Sequence, residues 1–134
     1  MKLTEKAIKI SLKLVDQGKF EEARVALHQW MAFLREDGDN EPMAKFKLFN
    51  AFACLENSDK NVAESLVWLE QAIECNTRNN LAGCDPLEAR PAETYLNAAN
   101  AAEFLLDHEK ALYFAEMADR TAQMTSFSVH SSMH

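Results

Sequence analysis

The side chains with the widest chemical repertoire in this 134-residue chain are four histidines and three cysteines, and their spacing offers little to catalysis. His28 and His108 stand 80 residues apart, each within or beside a helix turn, where packing or capping is the ordinary role. His130 and His134 are spaced i, i+4 and would share a metal ion on a helix. The Ser- and Thr-rich residues around them predict no helix, so no metal site is expected. Cys54, Cys75 and Cys84 are odd in number and lack CxxC spacing, which argues against a disulfide framework and a zinc site and leaves buried or idle thiols. No glycine-rich phosphate loop, HExxH or nucleophile elbow occurs. The expectation is a protein that is not an enzyme and carries no cofactor.

Charge narrows the partners. The formal net charge is −7, whereas nucleic-acid binding needs a concentrated basic surface that displaces phosphate counterions. The charge is uneven: residues 1–24 hold six basic and four acidic side chains, a balance of +2, and everything after them is strongly acidic. The N-terminal residues are too frequently charged for a signal peptide, and no stretch approaches the roughly 18 apolar residues of a membrane span. A soluble, cytoplasmic protein with neither nucleic acid nor membrane as partner is expected. Three Gly and three Pro leave little room for a turn-rich β fold.

Helical periodicity accounts for most of the chain. Over 3–17, Leu3, Ala7, Ile10 and Leu14 form one apolar ridge and Ile8, Leu12 and Val15 a second, with Thr4 as a candidate N-cap and Lys2, Lys6, Lys9 and Lys13 on the remaining face. Gly18 closes this helix. A second follows from Phe20 to Arg35, with Ala23, Leu27, Trp30 and Leu34 inward. The acidic break 36–41 leads to Pro42 and a third helix, Met43 to Glu56, with Phe46, Phe49, Ala53 and Leu55 among its apolar positions. The fourth spans Asn61 to Cys75, with Leu66, Leu69, Ala72 and Ile73 inward; Trp68 lies one residue off that ridge, either core or an exposed hot spot. A long irregular connection, 76–90, precedes Pro91 and a fifth helix to Asp107 that is crowded with Ala98, Ala99, Ala101 and Ala102. The sixth, Glu109 to Gln123, presents Ala111, Ala115, Ala118 and Ala122. Residues 1–124 read as one helical domain and 125–134 as a flexible tail.

The second helices of the three hairpins align: Phe20, Ala23, Leu27 and Trp30 match Val62, Ser65, Leu69 and Ala72, and then His108, Ala111, Ala115 and Ala118. The offsets are 42 and 46 residues, against roughly 34 for a tetratricopeptide unit and roughly 40–47 for HEAT-like repeats. The first hairpin nevertheless resembles a tetratricopeptide unit, with Ala7, Ile10 and Leu14 before the turn, Gly18, Phe20 and Ala23 around it, and Leu27 beyond. The third, with Tyr95, Ala98, Ala99, Ala102 and Ala111, is similar but lacks the turn glycine; the second has Lys60 and Val62 in place of glycine and aromatic.

The resemblance implies an all-α fold of about six antiparallel helices, three stacked helix-turn-helix hairpins forming a tetratricopeptide-like superhelix. It also implies a concave surface, made by the first helix of each hairpin, that binds a peptide or helix of another protein, as an adaptor or chaperone does. Carried onto this chain, the partner-binding positions are Lys9, Leu12, Lys47, Asn50, Leu96, Asn97 and Asn100, with Asp16, Cys54 and Glu93 beside them. The Ser-rich tail is unlike the polar helix that usually caps such arrays, which points to Tyr113, Met117 and Met124 as a possible homo-oligomer contact. The competing readings are a structural homo-oligomerisation module and a small helical ligand-binding protein or enzyme.

Overall fold

The computed structural model describes residues 2–36, 42–79 and 90–132, and side chains over 3–34, 42–79 and 90–123. Six helices occupy them: α1 (Lys2–Asp16), α2 (Phe20–Glu36), α3 (Pro42–Ser58), α4 (Val62–Asn79), α5 (Pro91–Phe104) and α6 (His108–Ser132). No strand occurs among the described residues, and the fold class is all-α. Pro42 and Pro91 each open a helix, where a missing N–H costs nothing. Glu21, Glu22, Glu64, Glu93 and Glu109 place negative charge in first turns, where the helix dipole favours it.

The three hairpins share one turn. After α1, the Gly18 N–H donates to the Val15 carbonyl and the Lys19 N–H to the Leu14 carbonyl, both at 2.9 Å. The same pair of bonds recurs after α3, from Lys60 to Asn57 and Asn61 to Glu56, and after α5, from Leu106 to Glu103 and Asp107 to Ala102. This is the Schellman arrangement, which satisfies the last carbonyls of a helix through one left-handed residue. The left-handed residues are Gly18, Lys60 and Leu106, at φ 75°, 65° and 63°. Their offsets are the 42 and 46 residues of the side-chain register. The next residue in each case accepts the first amide of the following helix, from Ala23, Ser65 and Ala111. Two hairpins thus adopt without glycine the turn that glycine marks in the first.

Within hairpins α1 packs on α2, α3 on α4 and α5 on α6; between them α2 and α1 meet α3, and α4 meets α5. One core joins Val15, Ala23, Leu27, Met31 and Leu34 to Leu48, Phe52 and Leu55. A second joins Leu66 and Leu69 to Ala98, Ala101 and Ala102, with Ala111, Phe114 and Ala118 beneath. Trp68 is half-buried against both, its ring stacked on Phe52 at 4.2 Å, so it belongs to the seam between hairpins. Ser65, standing where the other hairpins have alanine, donates its hydroxyl to the Ala53 carbonyl at 2.9 Å and is fully buried without penalty.

Several sequence expectations differ from the structure: α4 continues to Asn79 instead of ending at Cys75, and α5 stops at Phe104 instead of reaching Asp107. Thr4 lies inside α1, not at its cap, and its hydroxyl accepts the Trp30 indole N–H at 2.9 Å; that bond holds Trp30 half-buried instead of fully inward. Leu3 and Ile10 are exposed, because α1 meets its neighbours through Ile8, Leu14 and Val15. On α6, Phe114 is buried and Ala115 and Ala122 are exposed, since the face toward α5 is Ala111, Phe114 and Ala118. Finally, α6 runs to Ser132 instead of ending near Gln123; after Asp107 the chain has neither Gly nor Pro to stop it.

The first two hairpins are also tied by charge. The Arg24 guanidinium on α2 donates to both oxygens of Glu56 at the end of α3 (2.7 and 3.3 Å), to Asp59 in the second turn (2.9 Å) and to Glu21 (2.8 Å). Asn61 donates to Glu56 as well, at 3.2 Å. Glu56 is only 7% exposed. Hydrogen bonding from Arg24 holds its carboxyl below the ordinary carboxylate range despite its burial, and the three acids raise the Arg24 pKa.

Three outcomes are expected. Lys60→Gly should raise the unfolding free energy by about 0.5–1 kcal/mol by removing left-handed strain. Gly18→Ala should lower it by about 1 kcal/mol, a backbone cost alone because a Cβ there meets nothing within 4 Å. Denaturant titration measures both. Arg24→Met should cost about 2 kcal/mol at neutral pH. Because the Glu56 pKa is depressed in the fold, this stabilisation is complete above the unfolded carboxyl's pKa of roughly 4.3 and is lost as pH falls through the lower folded value. The stability gap between wild type and Arg24→Met should therefore narrow in acid, and a gap independent of pH would exclude the pair as its source.

Candidate functional site

Because α1, α3 and α5 are the first helices of successive hairpins, they line one groove of about 780 Å³. From α1 come Glu5, Lys6, Ile8, Lys9 and Leu12; from α3, Phe46, Lys47, Asn50, Ala51 and Cys54; from α5 and its approach, Arg90, Glu93, Thr94 and Asn97. Asn50, Cys54 and Asn97 also line a second cavity of about 600 Å³, which continues through Asn57, Leu69 and Asn100 to Phe104 at the third turn.

The structure brings Lys9, Leu12, Lys47, Asn50 and Asn97 together in the first cavity, with Cys54 and Glu93, and Asn100 in the second. Leu96 lines neither, being one residue, and so about 100° of helix, away from Asn97. Asp16 is exposed and also outside both.

The polar groups divide into two kinds. The Lys47 ammonium donates to Glu5 at 2.9 Å across the gap between α1 and α3, so much of its charge is answered within the chain. Asn50 donates its amide N–H to the Phe46 carbonyl and accepts the Thr94 hydroxyl, both at 3.0 Å, which stitches α3 to α5. Arg90 lies 3.8 Å from Glu93. By contrast, Lys6 and Lys9 are exposed and make no ion pair among the described residues. Partial burial against the groove wall pushes the Cys54 thiol up, and the charge of Asp16 adds to this, so it is a poor thiolate source at neutral pH. Cys75 is also a free thiol, half-buried and 3.4 Å from the Pro42 carbonyl.

The remaining candidates are scattered. Tyr113 is exposed on α6, Met117 is half-buried against the second core, and the Met124 side chain lies outside the described residues. Val25 and Val67, at the positions equivalent to Tyr113, are exposed too, so its exposure is a property of every second helix and not of α6. His28 packs on Phe52 and Trp68, with ring centroids 4.7 and 6.3 Å away. The side chains of His130 and His134, together with Cys84 and most of the 76–90 connection, lie outside the described residues. Among the described residues no group of three or more His, Cys, Asp or Glu is placed to hold a metal ion, and no helix is long and apolar enough to cross a membrane.

Sequence reasoning missed Glu5 and Thr94, which pair with Lys47 and Asn50. It also missed Phe104, Leu105 and Leu106, three exposed apolar residues at the third turn. The partners are 42 and 44 residues apart and required the register of first helices, not second ones. Asn50→Ala should lower stability by about 1 kcal/mol, whereas Asn97→Ala and Asn100→Ala should stay within about 0.5 kcal/mol. Urea denaturation distinguishes them, and equal effects would remove the structural role given to Asn50.

No protein-family model matches the chain, and neither a curated protein nor a solved structure matches it.

Proposed function

We propose that this chain is a protein-binding module, an adaptor or chaperone-like protein that holds an extended or helical segment of a partner across α1, α3 and α5. The observation that carries the reading is the groove of about 780 Å³ with apolar walls at Ile8, Leu12, Phe46 and Ala51 and two amines, Lys6 and Lys9, that have no ion-pair partner among the described residues. Its continuity with the second cavity through Asn50, Cys54 and Asn97 favours an extended occupant over a compact small molecule. The amines favour a segment carrying carboxylates among its apolar residues.

The reading is of a non-enzymatic protein without a cofactor, supported by the raised Cys54 thiol and by the pairing of Glu5 with Lys47 and Asn50 with Thr94. A cytoplasmic setting belongs to the same proposal. The tetratricopeptide-like organisation is part of the same proposal, supported by the three equivalent turns.

Affinity capture from the source cell with mass spectrometry identifies the partner, and titration then locates its site. Lys9→Glu and Asn97→Arg should each weaken binding at least about tenfold, or about 1.4 kcal/mol. Lys47 is a poorer probe because its substitution also breaks its ion pair with Glu5. Unchanged affinity in both variants would move the partner off the groove.

A further inference from the structure

The repeat register identifies which surfaces would meet a further hairpin. α3 packs on the first hairpin through Leu48, Ala51, Phe52 and Leu55. Forty-two residues earlier, α1 carries Lys6, Lys9, Ile10 and Lys13 at the same positions. These four are exposed, and Ile10 is 61% accessible within a frame of three lysines.

The complementary surface is on the third hairpin. α4 packs toward α5 through Leu66 and Leu69, with Ile73 beside them. Forty-six residues later, α6 carries Leu112, Ala115 and Asp119, all exposed, with Leu112 63% accessible and Glu116 alongside. On the first helices, Ile8 packs into the core shared with α3, and Asn50 bonds to α5 through Thr94. The third residue of that series is Leu96, which is 51% exposed. Its exposure away from the groove is explained: it occupies the position that touches the next hairpin.

We infer that a second copy of this chain covers this surface, its α1 seated on the α5–α6 face of the first so that the array continues from one copy into the next. The two faces complement each other in shape register, with Ile10 taking the place of Phe52 over the small side chain of Ala115. They also complement each other in charge, Lys6, Lys9 and Lys13 meeting Glu116 and Asp119. Because the two faces differ, the contact is heterologous and leaves one of each open, so association proceeds head to tail instead of closing as a symmetric dimer. The attraction between the two charged faces as they approach is screened by salt, so association weakens as ionic strength rises.

The four residues substituted in the test line neither cavity, and Lys6 and Lys9, which serve both the groove and this contact, are left unchanged, so the groove walls stay intact. Ile10→Asp with Lys13→Glu blocks the α1 face, and Leu112→Gln with Ala115→Gln blocks the α6 face; all four sites are exposed, and circular dichroism checks that helicity is kept. In sedimentation equilibrium the wild-type average mass should climb past two protomers with concentration. Each variant alone should stay at one protomer, and an equimolar mixture should rise to two and stop there, a doubling that only unlike faces permit. A wild type that stays monomeric throughout, a wild type that stops at a dimer, or variants whose mixture remains monomeric would each overturn the inference.

Discussion

A helix of four turns that reverses direction within three residues must satisfy its last carbonyls locally, and this requirement governs the whole molecule. Each first helix meets it through one residue in the left-handed region and a fixed pair of backbone bonds. That geometry sets the angle and register at which the second helix leaves, and therefore which side chains the two helices present to each other. Ala23, Ser65 and Ala111 are buried at the same place in three hairpins because each lies five residues beyond the left-handed one. With equivalent turns, α1 packs against α3, the Thr94 hydroxyl joins α5 to Asn50 of α3, and the three first helices line one groove.

One register position shows how equivalent backbones serve different needs. Arg24, Leu66 and Leu112 occupy it in α2, α4 and α6. At the first junction the guanidinium gathers Glu56 and Asp59, so the contact between hairpins is charged and specific. At the second, Leu66 is buried against α5, and alanines on that helix allow close approach. At the third, no described helix faces Leu112 and it stays in solvent. Removing water from Arg24 and Glu56 opposes their attraction, so the charged junction owes its strength to geometry, with both oxygens of the acid answered by Arg24 and one also by Asn61.

The helices and their second-helix register were legible because they rest on periodicity, which local sequence carries. Ala23, Leu27, Leu66, Leu69 and Ala98 are buried as their spacing predicts. The turns were only partly legible: Gly18 marks its own conformation, whereas Lys60 and Leu106 adopt it because tertiary packing outweighs a strain of roughly 1–2 kcal/mol. The groove was legible as far as resemblance could place Lys9, Leu12, Lys47, Asn50, Asn97 and Asn100 on first helices. Which of these are already occupied was not. Glu5 reaches Lys47 and Thr94 reaches Asn50 across a hairpin-to-hairpin distance that no local pattern encodes. Leu96 was misplaced for a related reason: a residue 100° around a helix differs in role but not in hydrophobicity.

The uneven charge has the same structural origin. Lysines concentrate on α1 at the positions where α3 carries Leu48, Ala51 and Leu55, so a face that is core in one hairpin is charged in another. If solvent exposure alone were being met, acids would serve as well as lysines, and the rest of the chain is rich in acids. The single sign of Lys6, Lys9 and Lys13 on one face of α1 and the opposite sign of Glu116 and Asp119 on α6, at the positions that mirror Glu70 and Ile73, are what solvation does not require. Two faces of one array that share a register and oppose in charge are suited to each other and mutually repelled from their own kind. In the head-to-tail association inferred above, the excess of lysine in the first 24 residues acts as an orientation rule, which favours one face meeting the other and disfavours like faces meeting.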